Sequence, residues 1–167
     1  MHYPARRITF ALSAFLLVVV CLQSLDYVVV AQSIDESQQV RRVIREYVRA
    51  MNRKSVEGLV SLYTSRGEFI DESFDTEFSG PDKLRELYNS IFERNPRLTF
   101  TAFPWNIDIT GEQASVTCSW SLAGDYGVYN GIYWISMRKT VGEWKIESIT
   151  AHITVVHYYN PPYVLIQ

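Results

Sequence analysis

One carboxylate stands where a base could work. Asp71 closes a short apolar strand, Phe69-Ile70, and an acidic loop follows it to Gly80-Pro81, where a helix opens. A strand that ends in an acid, with a helix folding back over it, gives a pocket a proton acceptor at its mouth. Partial burial raises a carboxyl pKa and brings it nearer working pH, which suits a general base. The competing reading is that Asp71 faces water or caps a turn. His152, on the last strand, reads either as a second acid or base or as a structural histidine. Tyr47, Tyr63 and Tyr88 sit on apolar helical stripes, where core packing with satisfied hydroxyls accounts for each taken singly. Glu68, Glu72, Asp75 and Glu77 read as a solvated loop. Cys118 lies on an apolar strand face, as a buried small hydrophobe does. There is no C-x-x-C, no H-E-x-x-H and no histidine cluster, so the sequence offers no metal site and calls for no cofactor.

Positioning these groups takes one domain. The chain has 167 residues, and residues 1–31 read as a signal peptide. Arg6 and Arg7 form a basic start, Ile8 to Leu22 is an uncharged and mostly apolar run, and Ala31 offers a small residue before Gln32. That run is short of the ~20 residues a membrane-spanning helix needs. Cleavage near Ala31 implies an exported protein, periplasmic or secreted, and a membrane is a partner only if the segment stays attached. Losing Arg6, Arg7 and Asp26 takes Lys+Arg from 16 to 14 and Asp+Glu from 18 to 17, so the net charge moves from −2 to −3. That balance excludes the basic stripe of a nucleic-acid binder. The arginines at 41, 42, 45 and 49 share one helix and read as its solvated face. Cys21 belongs to the leader, which leaves Cys118 without an intrachain partner.

Residues 32–156 form the expected domain, with 157–167 as a tail. The spacing predicts a helix over 35–53, with Val40, Val43, Ile44, Tyr47, Val48 and Met51 on one stripe. Ser55 caps a second helix in which Val56, Leu59, Val60 and Tyr63 share a face, and Ser65-Arg66-Gly67 is a turn. A third helix starts at Gly80-Pro81 and stops at Asn95-Pro96. From Leu98 the period changes from 3.6 to 2. Four long strands follow, with a phase slip near Pro104 that marks a bulge. Ala114, Val116, Cys118, Trp120 and Leu122 alternate with hydroxyl residues, the pattern of a strand with one buried face. The fold class is α+β: three N-terminal helices packed on a strongly bent, mostly antiparallel sheet of four to five strands. Such a sheet leaves a cavity beneath the helices. Trp120 and Trp134 are among the aromatic residues available to line it, although most of those fill core.

The order helix-helix-strand, the segments LYTSRGEFID and SGPDKLRELY, and the closing GEWKIESITAHI resemble the cone-shaped nuclear transport factor 2-like superfamily. Within it the chain is most similar to the SnoaL-like polyketide cyclase and ketosteroid isomerase branch, over roughly Ser33 to Ile153. The resemblance implies that Asp71, nine positions before Gly80, is the general base. It implies that Tyr47 donates to the substrate oxygen and that Tyr63 and Tyr88 support Tyr47 by hydrogen bonding. The isomerases add a protonated carboxylic acid as a second donor. On this chain it would fall on the third long strand at Ile135, where Ile132 to Ser136 hold no carboxyl group. His152 falls where the family has an aromatic cluster. The resemblance further implies a homodimer through the outer sheet face.

The expected function is cofactor-free isomerase- or lyase-type proton transfer on a small apolar carbonyl compound. Asp71 and Tyr47 are the catalytic pair, and Tyr63, Tyr88, Trp120, Trp134 and His152 line or support the pocket. The alternative is a non-catalytic module of the same fold that binds a small molecule or a protein.

Overall fold

A computed structural model describes residues 35–159. The expected signal peptide and residues 160–167 of the expected tail lie outside the described residues. The elements group by contact into residues 1–36 and 37–167, and the architecture below is that of the second unit.

Helix α1 covers 35–53. Val40, Ile44, Tyr47 and Met51 recur at spacings of four, three and four, and all are buried. Lys54, at φ +53, breaks the helix. Helix α2, Val56–Val60, is capped by Ser55, whose Oγ accepts the Gly58 N–H at 3.2 Å. Gly58 has a reason to be there: a Cβ at that position would sit 2.6 Å from the same Oγ. Helix α3, Gly80–Arg94, opens on Pro81 and buries Leu84 and Tyr88.

The sheet has six strands in the order β2-β1-β6-β5-β4-β3. They are β1 Tyr63–Asp71, β2 Thr76–Ser79, β3 Thr99–Thr110, β4 Gln113–Ala123, β5 Gly127–Thr140 and β6 Glu143–Tyr158. All neighbours are antiparallel except β1 and β6, which run parallel. The α+β class and the bent sheet hold, with more strands than the four to five expected.

Three local expectations change. Tyr63 opens β1 rather than ending α2, and Ser65-Arg66-Gly67 belong to the strand. The register on β6 jumps between Tyr63 and Glu68, so the turn-like residues form a bulge in a continuous strand. The acidic loop after Asp71 is a hairpin whose return arm, β2, pairs Thr76 with Asp71 and Phe78 with Phe69. Strand β6 extends through His157 and Tyr158 by pairing with Gly127 and Val128 of β5, so the sheet takes in residues assigned above to the tail. The bulge near Pro104 is present, between Pro104 and Asn106. The β5–β6 ladder carries two further register breaks, and each adds local twist and bend.

The β3 edge is covered. Asn52 of α1 donates from Nδ2 to the Phe100 carbonyl at 2.7 Å and accepts the Phe100 N–H on Oδ1 at 2.8 Å. A side-chain amide thus takes the place of a seventh strand, and Arg41 adds a bond to the Pro104 carbonyl.

The β5–β6 turn is Val141-Gly142, at φ +50 and +83. A two-residue turn of this hand favours Asn-Gly, whereas a β-branched residue is strained in it. Val141 is fully exposed. Val141→Asn is therefore expected to stabilise the fold by about 1 kcal/mol, read as a higher urea midpoint at unchanged slope.

Candidate functional site

Strand parity decides what meets in the interior. On β1, Phe69 and Asp71 point to the same face, and Phe69 is buried. Across the ladders Asp71 stands opposite Ala151 of β6, and Ala151 stands opposite Tyr133 of β5. Asp71, Ala151 and Tyr133 therefore form one row on the inner face. The next row places Gly131 opposite Trp120. A Cβ on Gly131 would come within 2.7 Å of the indole, so the glycine lets Trp120 lie flat. Trp120 stacks on Tyr133 with ring centroids 5.1 Å apart.

Between this floor and α1 and α3 lies a cavity of about 670 Å³. Its inner walls are Tyr47, Met51, Phe69, Trp120, Tyr133 and Ala151. Its rim includes Phe74 from the β1–β2 turn, Tyr126 from the β4–β5 turn and Arg94 from the end of α3. Phe74 and Tyr126 are largely exposed and mark the opening.

Asp71 lines this cavity and is half-buried. Desolvation raises its pKa, while the backbone N–H groups of Ser73 and Phe74 pull the other way. Asp71 lines the cavity, and its Oδ1 accepts the Ser73 N–H at 3.0 Å to hold the turn. The turn is pinned to β6 by Glu72 N–H on the Ala151 carbonyl and by Ile153 N–H on Ser73 Oγ. The carboxylate is thereby fixed by backbone rather than by a flexible loop.

Tyr47, Tyr88 and Tyr63 are buried and joined in a chain. The Tyr47 and Tyr88 hydroxyls are 3.1 Å apart, and those of Tyr63 and Tyr88 are 2.7 Å apart. Of the three only Tyr47 reaches the cavity. Burial pushes the pKa of all three well above the ordinary value, with neighbouring tyrosines adding to it. They are neutral hydrogen-bond donors at any working pH.

Two candidates do not join the site. Trp134 and His152 lie on the opposite face of the sheet, where Trp134 is 43% exposed and the two rings stand 6.3 Å apart. Strand alternation turns position 134 outward because 133 and 135 are buried. His152 Nδ1 is 3.6 Å from Glu72 on that outer face. Conversely, Tyr133, which the sequence offers only as one of several aromatic residues that could line the pocket, is a cavity residue. Its signal was available: 133 shares parity with Ile135, and Cys118 opposite it belongs to the buried face of β4. Among the described residues no group of three or more His, Cys, Asp or Glu could hold a metal ion. None of their helices is long and apolar enough to cross a membrane.

The SnoaL-like domain model matches residues 32–150. The chain belongs to the SnoaL-like domain family, within the nuclear transport factor 2-like superfamily. No curated protein matches it in sequence. Among solved structures it is similar to a candidate scytalone dehydratase from Novosphingobium aromaticivorans, at 18% identity and a TM-score of 0.70, over 77% of this chain and 91% of that one. It is similar to the hexachlorocyclohexane dehydrochlorinase LinA-type3 from Novosphingobium barchaimii, at 11% identity and a TM-score of 0.69, over 78% and 97%. A candidate aromatic ring hydroxylase from Novosphingobium aromaticivorans aligns at 18% identity and a TM-score of 0.65, over 75% and 94%. At these identities the likeness establishes the SnoaL-like fold.

Two outcomes follow for stability. Tyr88→Phe strips both neighbours of their bond and is expected to cost about 2–4 kcal/mol, against about 1–2 for Tyr63→Phe, in urea unfolding. For Asp71 the native state holds its proton more tightly than the unfolded chain does. Wild type therefore loses stability as pH rises through and above the ordinary carboxyl range. Asp71→Asn keeps the turn acceptor and removes the charge. It is expected to melt higher than wild type at pH 7 and level with it near pH 3.

Proposed function

We propose that this SnoaL-like domain catalyses cofactor-free proton transfer, of isomerase or lyase type, on a small apolar carbonyl compound. The observation that carries the reading is the joint presence, in one largely apolar cavity, of a half-buried carboxylate with a raised pKa and a neutral tyrosine hydroxyl backed by two more. Asp71 is the base and the tyrosines polarise the carbonyl oxygen. A C–H bond next to a carbonyl becomes acidic when the oxygen's developing charge is met by donors in a low-dielectric site. The carboxylate takes the proton and returns it to another carbon, or a leaving group departs from the neighbouring carbon. Dehydration and dehydrochlorination, the reactions named for two of the structural relatives, are of the second type. We place the protein outside the cytoplasm, on the basic start and apolar run of residues 6–22. A homodimer through the outer sheet face, where Trp134 is part-exposed, fits the same reading.

A second reading is favoured by one contact. Asp71 Oδ1 is engaged by the Ser73 N–H, as a purely structural turn residue would be. The domain would then bind its ligand without turnover.

Exchange of carbon-bound hydrogen separates the two. Small cyclic ketones incubated with the protein in deuterated buffer are expected to take up deuterium next to the carbonyl, followed by NMR. Asp71→Asn should slow this by about 10²-fold or more while leaving ketone binding in place. Binding with no enzyme-dependent exchange, or equal exchange in the variant, would establish the binding-module reading.

A further inference from the structure

We propose that the groove between α1 and the β3 edge is a binding site for a small carboxylic acid with an apolar body, held by Arg45 and the backbone N–H of Ala102. The proposal goes beyond the proton-transfer reading, because this groove shares no lining residue with the cavity that holds Asp71.

The β3 edge supplies the first half of the site. In an antiparallel ladder alternate residues turn both backbone groups away from the partner strand. Phe100 is one of these, since Asn52 takes both its N–H and its carbonyl. Ala102 and Pro104 come two and four positions later, before the bulge, and share that parity. Pro104 has no N–H, and its carbonyl accepts from Arg41 at 3.3 Å. Ala102 is left open between them. Its N–H and carbonyl are directed at α1, and none of the described residues meets them. The capped positions on either side leave no room for a whole strand to add to the edge. A single acceptor atom can still reach the Ala102 N–H.

Helix α1 supplies the second half. Arg41, Arg45 and Arg49 recur every four residues, and all three line the groove. Like charges at that spacing oppose one another, and the facing residues Thr101 to Pro104 bring no acid. Arg41 donates to the Pro104 carbonyl, and Arg49 is paired with Glu46 at 2.6 Å. Arg45, between them, is exposed and has neither an ion pair nor a hydrogen bond among the described residues. Three of the four arginines that read as a solvated face thus converge on one groove, with the central one unneutralised. A guanidinium and a backbone N–H suit the two oxygens of a carboxylate. The groove has a volume of about 410 Å³, and its apolar wall is Ile44, Val48, Pro104 and the exposed ring of Phe103. That is room for one ring or a short branched chain. An inorganic anion would leave the wall unused, and a neutral apolar molecule would leave the guanidinium unused.

The probe is para-isopropylbenzoate, added to the full isotope-labelled protein and followed by amide NMR shifts. Saturable binding is expected, with the Ala102 amide moving downfield and Ile44 and Val48 shifting alongside it. Para-isopropylbenzyl alcohol has the same body without the charge, and sulfate has charge without the body. Each should bind at least about tenfold more weakly than the benzoate. Arg45→Gln should raise Kd for the benzoate about tenfold or more, whereas Arg42→Gln, on the same helix outside the groove, should leave it unchanged. Ala102→Pro removes the N–H donor on an edge strand, where proline is tolerated, and should raise Kd by a similar factor. If that variant does not fold, Arg45→Gln and the Ala102 shift still decide the matter. Equal losses in Arg42→Gln and Arg45→Gln would show a diffuse charge effect and overturn the site. Sulfate binding as tightly as the benzoate would overturn the carboxylic acid as ligand. Shifts confined to residues around Asp71 and Tyr133, or no saturation at all, would overturn the groove. Deuterium exchange on ketones is read separately, so this site and the proton-transfer reading can fail independently.

Discussion

The Tyr88 hydroxyl is the one polar point on which the interior depends. It comes from α3 and meets Tyr47 of α1 and Tyr63 of β1, so three elements separated in sequence share a single oxygen. The fully buried residues around it are apolar. A buried hydroxyl without a partner costs about 1–3 kcal/mol, and both Tyr47 and Tyr63 have theirs only when α3 brings in Tyr88. That condition fixes how both long helices sit against β1. It also decides where the interior is filled and where it is hollow. The tyrosine side is packed solid, and the space towards Asp71 is lined by the same ring system but not filled by it.

Two small residues keep that space open. Ala151 lies between the largest polar side chains of its row, and Gly131 lies beneath Trp120. A larger residue at Ala151 would narrow the hollow from the floor, and a side chain at Gly131 would collide with the His152 carbonyl oxygen and the Trp120 indole. The sheet carries register breaks as well, and each bulge bends and twists its strand locally. The parallel pairing of β1 with β6 has a further consequence. It brings the C-terminal end of β1, with Asp71, alongside the stretch of β6 that faces Tyr133. An antiparallel partner in that place would put the other end of β1 beside Ala151, and the acid would leave the cavity.

Much of this was legible before any coordinates. Helical spacing located α1 and α3, alternation located the buried face of β4, and Pro104 marked the bulge in β3. The join between α2 and β1 was not legible. Val56, Leu59, Val60 and Tyr63 fit a helical face, and only the long-range parallel pairing with Ile146 draws Tyr63 into a strand. The β1–β2 hairpin was hidden for a similar reason: Thr76–Ser79 is four residues long and mostly exposed, so it leaves no apolar alternation to read. At the site, the resemblance brought Asp71 and Tyr47 to one cavity and assigned Tyr63 and Tyr88 the hydrogen-bonding arrangement they have. It carried no information about parity on β5 and β6. Trp134 and His152 looked suitable by residue type and face outward. Tyr133, one of the aromatic residues that composition offers for the pocket, faces inward one position before Trp134.

Asp71 shows why a fold would retain a residue that works against it. An asparagine would hold the turn through the same oxygen and would carry no charge to desolvate. Half-burial raises the carboxyl pKa, so at neutral pH the native state bears the cost of keeping it ionised. The turn alone does not call for an acid. In the proton-transfer reading proposed above the acid serves the cavity side, where a desolvated carboxylate is a stronger base than one in water. The tyrosines present the complementary case. Their burial raises the cost of ionisation and holds them as donors. One cavity thus favours proton uptake at one wall and resists proton loss at the other. That asymmetry is what the proposed proton transfer would use.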